Sequence, residues 1–144
     1  MLISHRGNLN GPNKRENEPS YIHEAIGNGF YVEVDVRYYK ENYYLGHDSP
    51  QYRITEYFLE NPNLFCHAKD PESFLKMRQN PNIHCFWNDL DLYAITSNSF
   101  YWTLDPNPPK GYRNLIYCKP DLKEISKSWM NRFEGYCSDY VGSL

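Results

Sequence analysis

Two carboxylates separated by one residue, Glu33 and Asp35, are the first side chains in this sequence whose spacing suggests chemistry. They belong to the alternating segment 31–37, in which valines occupy every second position, as is typical of a β-strand. Side chains two residues apart in a strand point the same way, so both carboxylates are predicted to reach one divalent cation. The alternative for this segment alone is an antiparallel strand whose acidic face is turned to water.

Ionisable side chains also lie in two neighbouring predicted strands. His5 and Arg6 lie in a first strand over residues 2–7, and His67 and Lys69 lie in a later strand. The carboxyl ends of parallel strands share one edge of a sheet, and ligands commonly bind there. Because a buried charge is costly unless it is paired or bound to a metal, three such strands favour a functional site over coincidence.

These side chains are of the types that bind a divalent cation, bind a phosphoryl group and exchange protons near neutral pH. The predicted site combines three metal ligands, two phosphate-binding cations and two proton-exchanging histidines. They are, in that order, Glu33, Asp35 and His67; Arg6 and Lys69; and His5 and His47. The predicted cofactor is one divalent cation, Mg²⁺, Mn²⁺ or Ca²⁺, and a neutral imidazole ligand would favour Mn²⁺ or Zn²⁺ over the other two. The alternative for His67 is a residue that only forms hydrogen bonds.

The composition limits the classes of protein to consider. A sequence of 144 residues with a net charge of −3 is expected to form one domain, residues 1–144, without the basic surface of a nucleic-acid-binding protein. No apolar run has the length of a membrane span and no signal peptide is recognisable, so a cytoplasmic location is expected. The four cysteines form no C-x-x-C pair and are predicted to be buried, reduced thiols.

The order of predicted elements indicates parallel strands joined by crossover helices in the first half of the chain. Strands are predicted over 2–7, 31–37, 43–48, 64–69, 83–87, 93–97, 100–104, 115–118 and 135–141. Helices are predicted over 18–28, 54–60, 70–79 and 121–132. After Trp87 the gaps between the first three predicted strands are too short for the crossover that parallel strands usually need.

The sequence also resembles the glycerophosphodiester phosphodiesterase family, whose motifs H-R-G, E-N, E-x-D and H-D occur here in the same order. The matching stretches are Ser4-His5-Arg6-Gly7, Glu16-Asn17, Glu33-Val34-Asp35-Val36 and Gly46-His47-Asp48. Weaker similarity continues through His67-Ala68-Lys69, Trp102-Thr103 and Ser138-Asp139. The family belongs to the phospholipase C-like phosphodiesterases, which fold as (β/α)8 barrels.

The resemblance implies an activity and a role for each matching residue. The activity is that of a metal-dependent phosphodiesterase acting on a small glycerophosphodiester-like substrate, by hydrolysis or through a cyclic phosphate. The implied roles are catalytic acid and base for His5 and His47, phosphate binding for Arg6 and Lys69, metal ligation for Glu33, Asp35 and His67, and support for Glu16, Asn17 and Trp102. The family normally has an acid at the place of His67, and Trp102 has the alternative of a core residue.

Length is the main departure from the family. A (β/α)8 barrel usually has about 250 residues. A sequence of 144 residues therefore predicts an α/β fold, a trimmed TIM-like barrel that lacks several crossover helices in its second half. The outer strand faces left uncovered predict a partner subunit, most simply in a homodimer. The rival function is a non-catalytic phospho-ligand-binding or scaffold protein on the same barrel.

Overall fold

The computed structural model describes residues 1–144 and shows one curled, mixed β-sheet of ten strands with three short helices. The strands are β1 (Leu2–His5), β2 (Tyr31–Tyr39), β3 (Asn42–Leu45), β4 (Tyr52–Ile54), β5 (Leu64–Ala68), β6 (Cys85–Trp87), β7 (Tyr93–Ile95), β8 (Tyr101–Thr103), β9 (Leu115–Cys118) and β10 (Gly135–Ser138). The helices are α1 (Pro19–Gly27), α2 (Glu56–Leu59) and α3 (Pro71–Arg78), followed near the carboxyl terminus by a 3-10 turn, Val141–Ser143. None of the helices has the length and apolar character needed to cross a bilayer.

The predicted trimmed (β/α)8 barrel is wrong. Helices hold only 17% of the residues, and the sheet is a curled half-barrel of mixed strand direction. Strand β3 pairs antiparallel with β2 and β4, and β7 pairs antiparallel with β8, whereas a (β/α)8 barrel is all parallel. The physical reason is the length of the connections, because Lys40 and Glu41 leave room only for a hairpin between β2 and β3.

The helix predicted over 121–132 is also wrong. This segment forms turns and irregular backbone, and its apolar side chains Leu122, Ile125 and Trp129 pack in a small cluster with Phe133 instead. Tertiary packing therefore overrides a weak helical pattern. Strands β8, β9 and β10 consequently run parallel to one another through connections that contain no helix.

Strand β2 lies at the centre of the sheet and determines where the predicted site forms. It pairs in parallel with β1 on one edge and with β5 on the other, and its last residues form the hairpin with β3. In this register His5 lies opposite Glu33, and Asp35 lies opposite His67. Three strands thus bring their ionisable residues to one region of the sheet.

The two faces of the sheet have separate cores. The helices cover the outer face, where the β2 valines pack with buried Ile22, Leu59 and Met77. The inner, concave face is filled by buried side chains from six strands: Ile3, Phe65, Phe86, Trp102, Ile116 and Cys137. Glu33 and Asp35 belong to the inner face because they alternate with the valines along β2.

Large apolar side chains are exposed mainly in the second half of the chain, where no helix covers the sheet. They include Leu90, Leu92, Ile95, Leu104 and Tyr112. Exposed apolar side chains are a common feature of protein interfaces when they form a patch. The homodimer expected to cover it stays a prediction.

His84 makes the stability of the inner core depend on pH. Its ring lies 4.4 Å from the ring of Phe65, and its Nε2 lies 2.7 Å from Thr96 Oγ1. Burial lowers the pKa of His84 from 6.5 to about 4. The unfolded chain therefore binds this proton more tightly than the folded chain, and stability present above about pH 6.5 is lost as the pH falls toward about 4.

We expect the free energy of unfolding attributable to His84 to fall by about 2 kcal/mol between about pH 7 and pH 5. The measurement is urea unfolding at both pH values for the wild type and His84→Gln, because the difference between them removes contributions from other groups. Exposed His23 supplies a matched control as His23→Gln, which should keep the wild-type pH dependence. Equal pH dependence in the wild type and His84→Gln would contradict the prediction.

Candidate active site

Glu33, Asp35 and His67 form a compact cluster on the inner face. One potential ligand atom from each residue lies within 4.8 Å of those of the other two. His67 Nδ1 is 3.3 Å from Glu33 Oε1 and 3.8 Å from Asp35 Oδ1. The two carboxylates are only 2% and 0% exposed, so the acidic face of β2 is buried and does not face water.

Two carboxylate oxygens of the cluster, Glu33 Oε2 and Asp35 Oδ1, are buried without a hydrogen-bond partner. Burying such an oxygen is costly unless a positive group or a metal compensates it. Carboxylate oxygens and an imidazole nitrogen are suitable ligands for a divalent cation. The residues present therefore fit the predicted metal.

The two carboxyl groups respond differently to burial. Burial opposes the ionisation of Glu33, but a hydrogen bond from Nδ1 of a protonated His67 and the charge of His5 outweigh burial and lower the pKa to about 2. Burial raises the pKa of Asp35, and the charge of Glu33 adds to the rise, whereas Arg6 opposes it. A cation bound between the two carboxylates would relieve the electrostatic repulsion between them.

Arg6 lies between two acidic side chains at the edge of the cluster. Its Nε is 2.9 Å from Asp35 Oδ2 but makes no hydrogen bond, and its Nη1 donates to Glu16 Oε2 at 3.3 Å. Asn17 donates from Nδ2 to Asp35 Oδ2 at 2.9 Å and accepts from the backbone N–H of Asp35 at 3.0 Å. Glu16 therefore contacts Arg6, and Asn17 holds Asp35 through two hydrogen bonds; their supporting role in catalysis stays a prediction.

The backbone around Arg6 is strained. Arg6 and Asn17 have left-handed conformations, with φ of 58° and 63°, and the N–H of Asn17 donates to the carbonyl oxygen of Arg6 at 3.0 Å. Such conformations are uncommon for residues other than glycine and concentrate at functional sites. Gly7 follows at φ 93°, where a Cβ atom would lie 2.7 Å from the ring of Tyr21, which explains the glycine in this loop.

His5 is anchored by Asp139, a residue without an assigned role in the sequence-based prediction. His5 Nδ1 donates to Asp139 Oδ1 at 2.7 Å, and Asn8 Nδ2 donates to the same oxygen at 2.8 Å. His5 Nε2 is left 3.8 Å from Glu33 Oε2. Burial lowers the pKa of His5, but the hydrogen bond to Asp139 and the charge of Glu33 outweigh burial and raise it to about 9.

A signal for Asp139 was present in the sequence. It directly follows β10, and β10 is the parallel neighbour of β1. The rule that groups the ends of parallel strands at one edge therefore applies to Asp139 as it does to His5. The sequence alone did not show that β1 pairs with β10, and without this pairing Asp139 could not be placed beside His5.

His47 lies farther out, in the loop after β3. Its side chain is 42% exposed, and Nδ1 is 2.7 Å from Asp48 Oδ1. Together with Arg6, Glu16 and Asn17 it lines a small, entirely polar cavity of about 200 Å³. The structure thus places His47 at the rim beside Arg6, and no ion pair joins it to the carboxylate cluster.

Arg37 holds the loop that carries His47. Its Nε donates to the carbonyl oxygen of Gly46 at 3.0 Å, and its Nη2 donates to the carbonyl oxygen of His47. A Cβ atom on Gly46 would lie 2.0 Å from the carbonyl oxygen of Ser49, so the loop needs glycine there. These contacts position His47 although its ring is half exposed.

Lys69 and Trp102 occupy different places. Lys69 Nζ is 4.0 Å from Asp35 Oδ1, at the edge of the cluster. Trp102 is buried in the inner core, and its ring lies 4.8 Å from that of Phe86, which in turn stacks on His67. Trp102 is therefore a core residue, the alternative given for it above.

A larger cavity lies away from these residues. It measures about 990 Å³ and opens between the β3–β4 hairpin and α3, beside Tyr38, Arg53 and Lys76. None of the predicted site residues lines it, and it contains no cluster of metal-ligating side chains. Four of the predicted site residues, Arg6, Glu16, Asn17 and His47, line the smaller cavity instead.

No protein-family model, curated protein or solved structure matches this chain. Membership of the glycerophosphodiester phosphodiesterase family therefore stays a prediction. The geometry itself provides a buried donor set for one cation, two positively charged side chains beside it, one anchored histidine and a second histidine at the rim.

Proposed function

We propose that this protein is a metal-dependent phosphodiesterase, a phosphoric diester hydrolase for a glycerophosphodiester-like substrate. The observation that carries the proposal is the pair of unpartnered, buried oxygens, Glu33 Oε2 and Asp35 Oδ1, beside the cations Arg6 and Lys69. A buried acidic pair suits a metal ion, and the adjoining positive charges suit a phosphoryl group. The motif resemblance supports the same activity.

The cluster and its two cations would hold the substrate. Glu33, Asp35 and His67 are the residues for a divalent cation, which supplies charge stabilisation and lowers the pKa of an attacking hydroxyl. Arg6 and Lys69 bind the phosphoryl oxygens and offset the charge that develops on them. Because Arg6 is already held by the acids around it, little reorganisation is needed when a phosphate binds.

His5 and His47 exchange the protons of the reaction. One takes a proton from the attacking hydroxyl, and the other gives one to the departing alkoxide. His5 exchanges its proton at Nε2, since Nδ1 donates to Asp139. The charge of Glu33 contributes to the raised pKa of His5. If a bound cation neutralised that charge, the pKa of His5 would be lowered toward neutral pH, where an imidazole exchanges protons best. A hydroxyl of the substrate as nucleophile gives a cyclic phosphate, and water gives a phosphomonoester.

We also propose a cytoplasmic location. The four cysteines are free thiols: Cys66, Cys85, Cys118 and Cys137. Burial raises the pKa of Cys66 and Cys137 well above the ordinary value, which keeps both in the unreactive thiol form. Free thiols in these numbers are typical of a reducing compartment.

His47→Ala is expected to lower turnover of glycerophosphocholine at least about 100-fold, because it removes one of the two proton-exchanging groups. The His47 side chain is half exposed, so the fold should survive the substitution. The measurement is alcohol release with Mn²⁺ present, run in parallel on bis(p-nitrophenyl) phosphate. Nitrophenolate leaves without a proton, so a loss confined to the alkyl substrate identifies His47 as the general acid.

The matched control is His23→Ala on the exposed face of α1, which should retain wild-type turnover. Wild-type protein that binds Mn²⁺ and glycerol phosphate but cleaves neither diester would contradict the phosphodiesterase. That outcome would support the non-catalytic phospho-ligand-binding function instead.

A further inference from the structure

The hydrogen bonds of His67 fix its tautomer. Its Nε2 lies 2.7 Å from the carbonyl oxygen of Asn88, and a carbonyl oxygen only accepts, so Nε2 carries a proton. The plane of the ring is also fixed, because it stacks on Phe86 with centroids 4.7 Å apart and 11° between the planes. In the neutral ring the lone pair is therefore on Nδ1, the atom that faces the carboxylates.

The neighbours of Nδ1 in the cluster are acceptors. Glu33 Oε1 lies at 3.3 Å and Asp35 Oδ1 at 3.8 Å. Lone pairs that converge in a buried place need a positive group among them. A proton on Nδ1 would serve Glu33 Oε1 and still leave Asp35 Oδ1 without a hydrogen bond, whereas a divalent cation serves all three atoms.

The cationic side chains nearby do not fill this place. Arg6 Nε contacts the other oxygen of Asp35, Oδ2, at 2.9 Å. Lys69 Nζ stays 4.0 Å from Asp35 Oδ1, and His5 Nε2 stays 3.8 Å from Glu33 Oε2. Both separations exceed a hydrogen bond. The three converging atoms thus remain available to a ligand.

We infer that His67 Nδ1 is a metal ligand and that the centre selects Zn²⁺ and Mn²⁺ over Mg²⁺ and Ca²⁺. The inference rests on the proposed function, because it concerns the cation of that site. Mg²⁺ and Ca²⁺ prefer oxygen ligands throughout, whereas a nitrogen donor strengthens binding of first-row transition ions. The carbonyl oxygen of Asn88 orients His67 in the way that hydrogen-bond acceptors orient metal-bound histidines.

Calorimetric titration of the chelator-treated full chain tests the selectivity. The wild type should bind Zn²⁺ and Mn²⁺ at least about tenfold more tightly than Mg²⁺ or Ca²⁺. His67→Gln should weaken Zn²⁺ binding about 10–100-fold, and His67→Glu should reduce the preference by restoring an all-oxygen site. The matched control His23→Gln should leave every affinity unchanged.

A spectroscopic measurement tests the ligand directly. Pulsed electron paramagnetic resonance of the Mn²⁺-loaded wild type should show coupling to one imidazole ¹⁴N, and both variants at position 67 should lose it. If those variants fail to fold by circular dichroism, the same signal in His5→Ala decides the question. His67 is then the one histidine left within ion-pair distance of Glu33.

The outcomes separate the two claims. A wild type that binds none of the four cations overturns the metal centre, and the proposed function with it. Cation binding with the same selectivity in His67→Glu, or without ¹⁴N coupling in the wild type, overturns the role of His67 and leaves the phosphodiesterase standing.

Discussion

Replacing His5 by alanine is expected to lower the turnover of phosphodiesters about 10²–10⁴-fold, the usual contribution of a general acid or base. His5 lies beside the cluster of Glu33, Asp35 and His67, with Nε2 3.8 Å from Glu33 Oε2 and Nδ1 anchored on Asp139. The substitution removes this proton-exchanging group without touching the three predicted metal ligands. The measurement is kcat for glycerophosphocholine, accompanied by circular dichroism and by Mn²⁺ titration.

Two further variants make this prediction specific. Asp139→Asn should cause a smaller loss of turnover than His5→Ala. It should also shift the part of the pH–rate profile that reports the ionisation of His5 to lower pH, because the hydrogen bond to Asp139 contributes to the raised pKa of His5. His23→Ala should behave like the wild type. A His5→Ala protein that binds Mn²⁺ normally and keeps full activity would remove His5 from the proposed mechanism.

Replacing Glu33 by glutamine is expected to abolish stabilisation of the protein by divalent cations. A cation at 100 times its Kd adds about 2.7 kcal/mol to the free energy of unfolding when it binds the folded state only. Glutamine has nearly the shape of the glutamate side chain but lacks its charge. The carboxylate of Glu33, whose Oε2 has no hydrogen-bond partner in the wild type, would be replaced by an amide, which is a weaker metal ligand. The measurement is urea unfolding with and without saturating Mn²⁺.

The matched control for this charge change is Glu124→Gln, since Glu124 is exposed and far from β2 in the chain. It should keep the full increase in stability on addition of Mn²⁺. An equal increase in Glu33→Gln would show that Mn²⁺ binds elsewhere and would withdraw Glu33 from the metal centre.

The strand that carries the acidic pair could be predicted because its pattern is local. The valines of β2 pack under the helices on the outer face, and the alternation then requires Glu33 and Asp35 to point inward. Whether the inward side holds water or a buried site could not be read from the same pattern. The inner core around Phe65 decides it, and that core is assembled from six strands.

The wrong predictions arose where the sequence pattern was weak or where the fold was taken from a family resemblance. The apolar stripe of segment 121–132 is consistent with a helix, but Leu122 and Trp129 reach their small cluster through turns. The barrel was inferred from a family resemblance and from the β-α order of the first half. The structure is instead a curled half-barrel of mixed strand direction, in which β2 pairs antiparallel with β3 and β7 pairs antiparallel with β8.

By itself the sequence determined which side chains have suitable chemistry and which of them share a face of a strand, because alternation depends only on adjacent residues. Tertiary structure alone decided that Glu33 and Asp35 are buried, that His67 takes its proton-bearing nitrogen to the Asn88 carbonyl, and that His5 is anchored across 134 residues by Asp139. Such long-range pairings depend on the packing of the whole sheet and on loop closure, and no short stretch of sequence encodes either.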